Sequence, residues 1–450
     1  MTQRPPVQPG SPWRFPRPDI ETLGNGITVE RFNLPSQRVV SVTALVDAPL
    51  SGEPSGREGV ASLAMHVADE GTEHHPGAAL TQALEDCGAA TVGAGARLDG
   101  ATLAVEAPST RLVEALPLIG EIVTEPAFAP IDVARLKDDR LLAIATGEAS
   151  PPTCATKAAY ACFGDHRLAR PIGGDVASVA ALMPTDLRSW HQSAVRPQQL
   201  RLIIAGDLPE GTTQAIEAAF GHWPTPAAAP LPAPTAPPVP PGRRVVIVDR
   251  PAAEQVSVRL ATLTPSRTSP DWPALQVANA VVGGMFGSRL NQVLREERGL
   301  TYGANTILSP TRDLATFMAQ AECAVPSAVE AVTLCLSLLD MANPITPQEA
   351  GDAVAYISGV TPLRLDTASA VAAQAGEFAL GGVPTQWFDD YIAALAKVTA
   401  DQATQAFARH VRPENLVITL CGPADVLAPQ LQAAGLDAEV VASASQIRPT

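Results

Sequence analysis

The sequence predicts an α+β fold made of two tandem homologous halves, each a mainly antiparallel sheet with helices packed on one face. Three observations support this prediction: a proline-rich stretch near the middle of the chain, a segment that occurs once in each half, and a common order of strands and helices. The length of 450 residues also exceeds what a single hydrophobic core usually supports.

The proline-rich stretch lies between Pro224 and Pro241, where nine of eighteen positions are proline. Proline has no backbone N–H and a fixed φ, so such a stretch favours an extended spacer over a strand or helix. It divides the chain into halves of similar size. We therefore predict a flexible N-terminal arm over residues 1–19, a first half over 20–223, a linker over 224–242 and a second half over 243–450.

The repeated segment closes each half. It reads VRPQQLRLIIAG from Val195 to Gly206 and VRPENLVITLCG from Val411 to Gly422, an offset of 216 residues. In both copies an amphipathic helix, around 184–194 and 399–410, leads through the turn-forming Arg-Pro into an apolar strand. The two halves are thus predicted to be copies of one unit.

Each half also opens with two strands, predicted over 27–31 and 39–46 in the first half and over 245–248 and 256–263 in the second. A long helix follows in both. Strands and helices therefore come in blocks, an order typical of α+β layers. A doubly wound nucleotide-binding fold would need strict alternation and a glycine fingerprint after the first strand, which the sequence lacks.

Composition excludes several classes of partner. The 31 basic and 46 acidic side chains give a net charge of -15, which repels phosphate backbones and anionic lipid headgroups. The first twenty residues lack the apolar core of a signal peptide, and no apolar run reaches membrane-spanning length. The six cysteines show no two-residue spacing of a zinc or redox motif. We expect a soluble, cytoplasmic protein that binds neither nucleic acid nor membranes.

The helix expected after the first strands reads GVASLAMHVADEGT from Gly59 to Thr72. It resembles the active helix of the pitrilysin/insulinase family of zinc peptidases, whose inverted motif H-x-x-E-H supplies two zinc-binding histidines and a catalytic glutamate. In this chain the first histidine position is Ser62, the glutamate position is Met65, and only His66 matches. The family's third ligand, a glutamate, corresponds to Ala143. The resemblance implies a degenerate motif, and we predict no metal or other cofactor in this chain.

Two other interpretations of His66 remain open. It is an ordinary helix residue, packed or satisfied by a neighbour such as Glu70, or it belongs to a rebuilt metal site with Glu70, His74 and His75. The second interpretation requires the helix to continue, whereas the Gly71-Thr72 pair is expected to end it.

The most specific stretch lies in the second half and reads GGMFGSRLNQVLREERGLTY from Gly283 to Tyr302. It resembles the C-terminal signature of the same family. Arg295 and Tyr302 fall on the pair that reaches the substrate in that family, and Gly299 is expected to end the helix between them. A tyrosine hydroxyl can donate to an oxyanion, and a guanidinium can hold a carbonyl or carboxylate. The alternative is a solvated helix end followed by a packed Tyr302.

Together the two motifs resemble one partner of the two-chain bacterial members of the family, in which one chain carries the zinc motif and the other the Arg/Tyr pair. The resemblance implies two peptidase-like domains that form half of a clam-like chamber, a zinc-bearing homologous partner and a peptide substrate. A non-enzymatic scaffold or peptide-binding subunit is the alternative function. A lone hydrolase with an unconventional metal is a third.

Overall fold

A computed structural model of the chain describes residues 13–164, 166–224 and 242–447. Its strands, in chain order from β1 to β12, are Asp19–Thr22, Thr28–Asn33, Val39–Val46, Ala90–Arg97, Gly100–Pro108, Leu200–Gly206, Arg244–Asp249, Gln255–Pro265, Thr301–Pro310, Leu314–Ala324, Val417–Gly422 and Glu439–Val441. Its α-helices, from α1 to α15, are Val60–Val67, Ala78–Asp86, Leu112–Thr124, Pro130–Ala149, Pro151–Ala161, Val176–Ala180, Pro184–Ala194, Thr212–Phe220, Trp272–Asn279, Ala328–Leu339, Pro347–Arg364, Ala368–Leu380, Gln386–Leu395, Ala400–His410 and Ala424–Ala433.

The strands form two six-stranded mixed sheets, one in each half. The first has the order β1-β2-β6-β3-β5-β4, and the second has the order β12-β7-β11-β8-β10-β9. In each sheet the strand that closes the half, β6 or β11, pairs parallel with one opening strand and antiparallel with the other. The offset of 216 residues carries β2, at 28–33, onto β7, at 244–249. The α+β fold with two homologous halves is confirmed.

Each sheet is covered on both faces, which goes beyond the single helical layer predicted. The helices α1 and α3 cover one face of the first sheet, while α12, from the second half, packs on the other face against β3 and β6. In return α5, from the first half, packs against β8 and β11. The burial of seven of eight residues in β3 follows from this arrangement, because both of its faces are covered. Each half therefore contributes one helix that covers a face of the other half's sheet.

The chain before β1 packs against the second half from Trp13 onward. Phe15 is buried, its ring lies 5.4 Å from that of Phe378, and its N–H donates to Asp389 at 3.2 Å. Three aromatic rings meet edge-on here, and Arg17 pairs with the same aspartate. The flexible arm predicted over 1–19 is therefore wrong for residues 13–19, while residues 1–12 lie outside the described part. Most of the predicted linker, residues 225–241, lies outside it as well.

Among the described residues, no helix combines the length and apolar character needed to cross a lipid bilayer.

Candidate functional site

The helix with the degenerate motif, α1, is held by a buried ion pair. Glu53 accepts hydrogen bonds from the N–H groups of Gly59 and Ala61, at 3.2 and 3.1 Å, at the start of the helix. Its other oxygen accepts from Nε and Nη2 of Arg167 at 3.1 and 2.7 Å. Burial raises the pKa of Glu53, although the adjacent Arg167 opposes that effect. Free N–H groups at a helix start need such an acceptor.

The three motif positions on α1 do not form a zinc site. Met65 is buried in the core, and His66 is exposed, with its Nδ1 2.6 Å from the carbonyl oxygen of Ser62. An ideal Cβ placed on Gly95 of β4 would lie 3.5 Å from His66 Cε1, so the imidazole faces the edge strand. Ala143 is exposed on α4 and has no donor atom for a metal. A zinc site needs three or four protein ligands, and the residues here do not fit that ion.

The residues of the possible rebuilt site are separately partnered. His75 Nδ1 lies 2.7 Å from Glu121, His74 lies 3.0 Å from Glu125, and Glu70 pairs with Arg135 at 2.5 Å. The helix α1 ends at Val67, before the Gly71-Thr72 pair as predicted. The interpretation in which Glu70 satisfies His66 is wrong. The imidazole of His66 contacts the Ser62 carbonyl oxygen of its own helix, and the Glu70 carboxylate pairs with Arg135. Within residues 13–164, 166–224 and 242–447, no group of three His, Cys, Asp or Glu side chains could hold a metal ion.

Tyr302 stands on the edge of the second sheet, in β9. The ladder between β9 and β10 pairs Ala304 with Ala321 and Thr301 with Cys323, so Tyr302 and Gly303 oppose the single residue Glu322. This β-bulge turns the tyrosine away from the ladder. Its side chain is 94% exposed. The alternative of a packed Tyr302 is therefore wrong.

Arg295 lies on a π-helical segment, Asn291–Glu297, that runs into β9. Gly299, with φ +64°, follows that segment at its end, as predicted. The segment is tied to β9 because Asn291 Oδ1 accepts from the N–H of Ala304 at 2.9 Å. Arg295 and Tyr302 thus stand on directly connected elements.

Sequence reasoning missed Phe286. Its ring is 74% exposed, and the guanidinium carbon of Arg295 lies 4.7 Å from the ring centroid. Such a cation–π contact restricts the positions that the Arg295 guanidinium can adopt. Within the described residues, Arg295 also makes a 3.4 Å surface pair with Glu296. The available signal was a phenylalanine flanked by Gly284, Gly287 and Ser288, where a turn rather than a packed helix or strand is expected.

A second arginine of the same stretch has a structural role. Arg289 binds Glu349 through two hydrogen bonds of 2.7 and 2.8 Å and donates to the carbonyl oxygens of Asn343 and Pro344. Hydrogen bonds from Arg289, together with those from Thr346, lower the pKa of Glu349 to about 2. Arg289 therefore fixes α11 to the signature, whereas Arg295 remains available to solvent.

Two family models match the chain in succession. The model described as Insulinase (Peptidase family M16) matches residues 29–175, and the model described as Peptidase M16 inactive domain matches residues 181–353. The chain belongs to the insulinase (M16) family. The two matched regions contain the degenerate motif helix and the Arg/Tyr signature, respectively.

M16 relatives of similar length include a Streptomyces coelicolor protein named as an uncharacterized zinc protease, which is 28% identical over 416 residues, 89% of each chain. The human mitochondrial cytochrome b-c1 complex subunit 1 is 26% identical over 274 residues, 60% of this chain and 56% of that protein. A solved structure of the peptidase M16 inactive domain from Pseudomonas fluorescens superposes with a TM-score of 0.83 at 24% identity, covering 90% of this chain and 98% of that one. That likeness shows a shared fold.

Proposed function

We propose that this chain is the zinc-free subunit of a heterodimeric metallopeptidase, in which Arg295 and Tyr302 bind peptide substrate and stabilise the oxyanion in trans to a zinc-bearing homologous partner. The observation that supports this most is the exposure of Tyr302. Its ring is 94% accessible, and among the described residues no group hydrogen-bonds its hydroxyl. A large aromatic ring loses stabilisation when it stays in water, so a partner or substrate that covers it accounts for its position.

The two side chains have complementary roles in this proposal. The Tyr302 hydroxyl donates a hydrogen bond to the oxygen of the attacked carbonyl as negative charge develops there. Arg295, steered by the ring of Phe286, holds a neighbouring carbonyl or the terminal carboxylate of the peptide. Neither residue attacks the peptide bond. Because Ser62, Met65 and Ala143 provide no metal ligands, activation of water belongs to the partner chain.

The test uses this chain, the partner that co-purifies with it from the native host, and the mixture of the two. The mixture should hydrolyse peptides, and Tyr302→Phe should lower turnover about a hundredfold, the effect of a lost oxyanion donor. Tyr356→Phe is the matched control, because Tyr356 is an exposed tyrosine on α11 that does not belong to the Arg/Tyr signature. If the mixture gains nothing over the partner alone, or if Tyr302→Phe leaves turnover unchanged in an intact complex, the shared site does not exist.

A non-enzymatic scaffold or peptide-binding subunit is the second candidate. It is supported by the similarity to cytochrome b-c1 complex subunit 1, which is named as part of a complex rather than as a peptidase. This candidate predicts a stable complex whose activity does not depend on the Tyr302 hydroxyl. The third candidate, a lone hydrolase with an unconventional metal, predicts stoichiometric metal in the purified single chain. Zinc in the partner and cytoplasmic localisation are further parts of the first proposal.

A further inference from the structure

A cavity of about 450 Å³ lies between the two halves, away from Tyr302. One wall comes from the turn between β4 and β5, from α4 and α5, and from residues 168–173. The other wall comes from the second half, through Arg267, the end of β9 and the end of α12. Its volume falls in the range of small-molecule sites, and interfaces between domains are a frequent place for them.

The cavity collects positive charge in a chain whose net charge is -15. Its lining contains five cationic side chains, Arg97, Arg140, Lys157, Arg170 and Arg267, and two carboxylates, Asp99 and Glu377. Glu377 already pairs with Arg97 at 2.6 Å, and Arg170 pairs with Glu58 at 2.5 Å, so these two cations are neutralised.

Two of the cations have no carboxylate partner in the part of the chain that the structure describes. Arg140 donates only to the carbonyl oxygen of Gly173, at 2.9 Å, and the Lys157 ammonium has no ion pair or hydrogen bond within the described ranges. Arg267 has a long ion pair, with Nη2 3.8 Å from Glu377, and its guanidinium carbon lies 5.9 Å from the centroid of the Trp387 ring. Partly buried cations without anions are unfavourable, because burial removes hydration that nothing replaces.

Arg267 gives the second, independent indication of a ligand. Its side chain is 7% exposed, and its Nε has no hydrogen-bond partner in the described part of the chain. Burial lowers the pKa of both Arg267 and Arg140, the direction expected when a cation loses water. Buried polar groups in native proteins are normally satisfied, so an orphaned guanidinium N–H beside a cavity points to a missing acceptor.

The position of Arg140 is fixed by a glycine. A Cβ built on Gly173 would lie 2.0 Å from Arg140 Nη2 and 2.4 Å from its Cζ. The guanidinium therefore lies in close contact with the backbone of Gly173, and any residue with a Cβ at this position would displace it. The cation is placed in advance, as in a binding site, rather than extended freely into solvent.

We propose that this cavity binds a small organic carboxylate with an apolar body. Arg140, Lys157 and Arg267 supply the cationic groups for the carboxylate. The apolar part lies against side chains such as Leu98, Leu168, Ile172 and Leu380, which also line the cavity. The site is separate from Arg295 and Tyr302, so it does not depend on the proposed peptidase role.

The first experiment is calorimetric titration of the full chain with octanoate, octanamide and inorganic phosphate. Octanoate should bind saturably at one site per chain. Octanamide, which has the same apolar body without the charge, should bind at least about tenfold more weakly, as should phosphate, which has charge without the body. Equal binding of octanoate and octanamide would overturn the role of the cations, and equal binding of octanoate and phosphate would overturn the role of the apolar wall.

Variants locate the site. Lys157→Gln should weaken octanoate binding about tenfold or more, whereas Lys397→Gln, an exposed lysine on the second half, should leave it unchanged. Gly173→Ala keeps every charge but displaces the Arg140 guanidinium, so it should weaken binding too. Without octanoate, the melting temperature of Lys157→Gln should equal or exceed that of the parent chain. Equal octanoate affinity for the two lysine variants would refute the assignment to this cavity.

Discussion

Replacement of Arg167 by methionine should be strongly destabilising, because it leaves the carboxylate of Glu53 buried without its cation. The two side chains are 4% and 1% exposed. Arg167 donates two hydrogen bonds to Glu53 and others to the carbonyl oxygens of Arg170, Pro171 and Ile172. Removal of one partner of a buried ion pair costs about 3–5 kcal/mol. We expect a loss of about 4 kcal/mol in the free energy of unfolding at pH 8.

The loss should depend on pH. Without Arg167 the pKa of Glu53, already raised by burial from its ordinary 4.5, rises further. When the pKa of a carboxyl is higher in the folded state than in the unfolded state, its protonated form favours folding. The stability is therefore retained at low pH and falls as pH rises through the pKa of the folded state. The deficit of Arg167→Met should therefore be small near pH 4.5 and largest at pH 8, measured by urea unfolding followed through tryptophan fluorescence.

Two further variants make this reasoning refutable. Glu53→Gln combined with Arg167→Met removes the buried charge but keeps an acceptor for Gly59 and Ala61, so it should be more stable at pH 8 than the single variant by about 2 kcal/mol. Arg111→Met breaks an exposed pair with Glu114 and should cost less than about 1 kcal/mol. A deficit that does not vary with pH, or that equals the deficit of the exposed control, would show that the ion pair does not hold α1.

Three other substitutions have distinct expected results. Burial raises the pKa of Asp99 to about 6, so its ionised form opposes folding above that pH. Asp99→Asn should therefore stabilise the chain by about 2 kcal/mol at pH 8 and by little at pH 4, as measured by urea unfolding. The exposed control Asp437→Asn should show no such dependence on pH. Phe15→Ala should cost about 3–5 kcal/mol, measured by thermal and urea unfolding, because its ring is buried against the second half. Phe286→Ala should leave stability within about 0.5 kcal/mol, since the ring is exposed, but should lower peptide turnover by the mixed subunits about two- to fivefold, because Arg295 loses its cation–π contact.

The duplication and the strands of the sheet centres were readable from the sequence. Their apolar runs begin and end at turn-forming residues such as the Arg-Pro before β6, and the same pattern occurs again before β11. The helices α7 and α14 were readable too, because each has one apolar stripe of helical period.

The helix exchange was not predictable from periodicity. The sequence of α12, ASAVAAQAGEFAL, shows which residues are small or apolar but not which sheet they cover. Its partner strands β3 and β6 lie more than 160 residues earlier in the chain, and no local signal fixes so distant a contact. The burial of Phe15 depends on the same helix, so the extent of the N-terminal arm could not be read correctly either.

The candidate site was predicted in its residue types but not in its geometry. Similarity to a family signature picked out Arg295 and Tyr302, but the bulge that exposes Tyr302 depends on the pairing of β9 with β10. The extra residue of β9 at this bulge cannot be recognised from the sequence of β9 or of β10 alone. The contact between Phe286 and Arg295 likewise depends on how the chain turns between Gly284 and Ser288.

The two motif regions differ in how their polar groups are satisfied. Around α1, Glu53 and Arg167 bind each other, and His66 bonds its own helix. In the second half Arg289 is also fully engaged, whereas Tyr302 is exposed and Arg295, 35% exposed, makes only surface contacts with Glu296 and Phe286 among the described residues. An internally satisfied helix supports the fold, whereas exposed aromatic and arginine side chains on a rigid frame are the composition of contact surfaces. This contrast supports the proposal that Arg295 and Tyr302 of the second half contact another molecule.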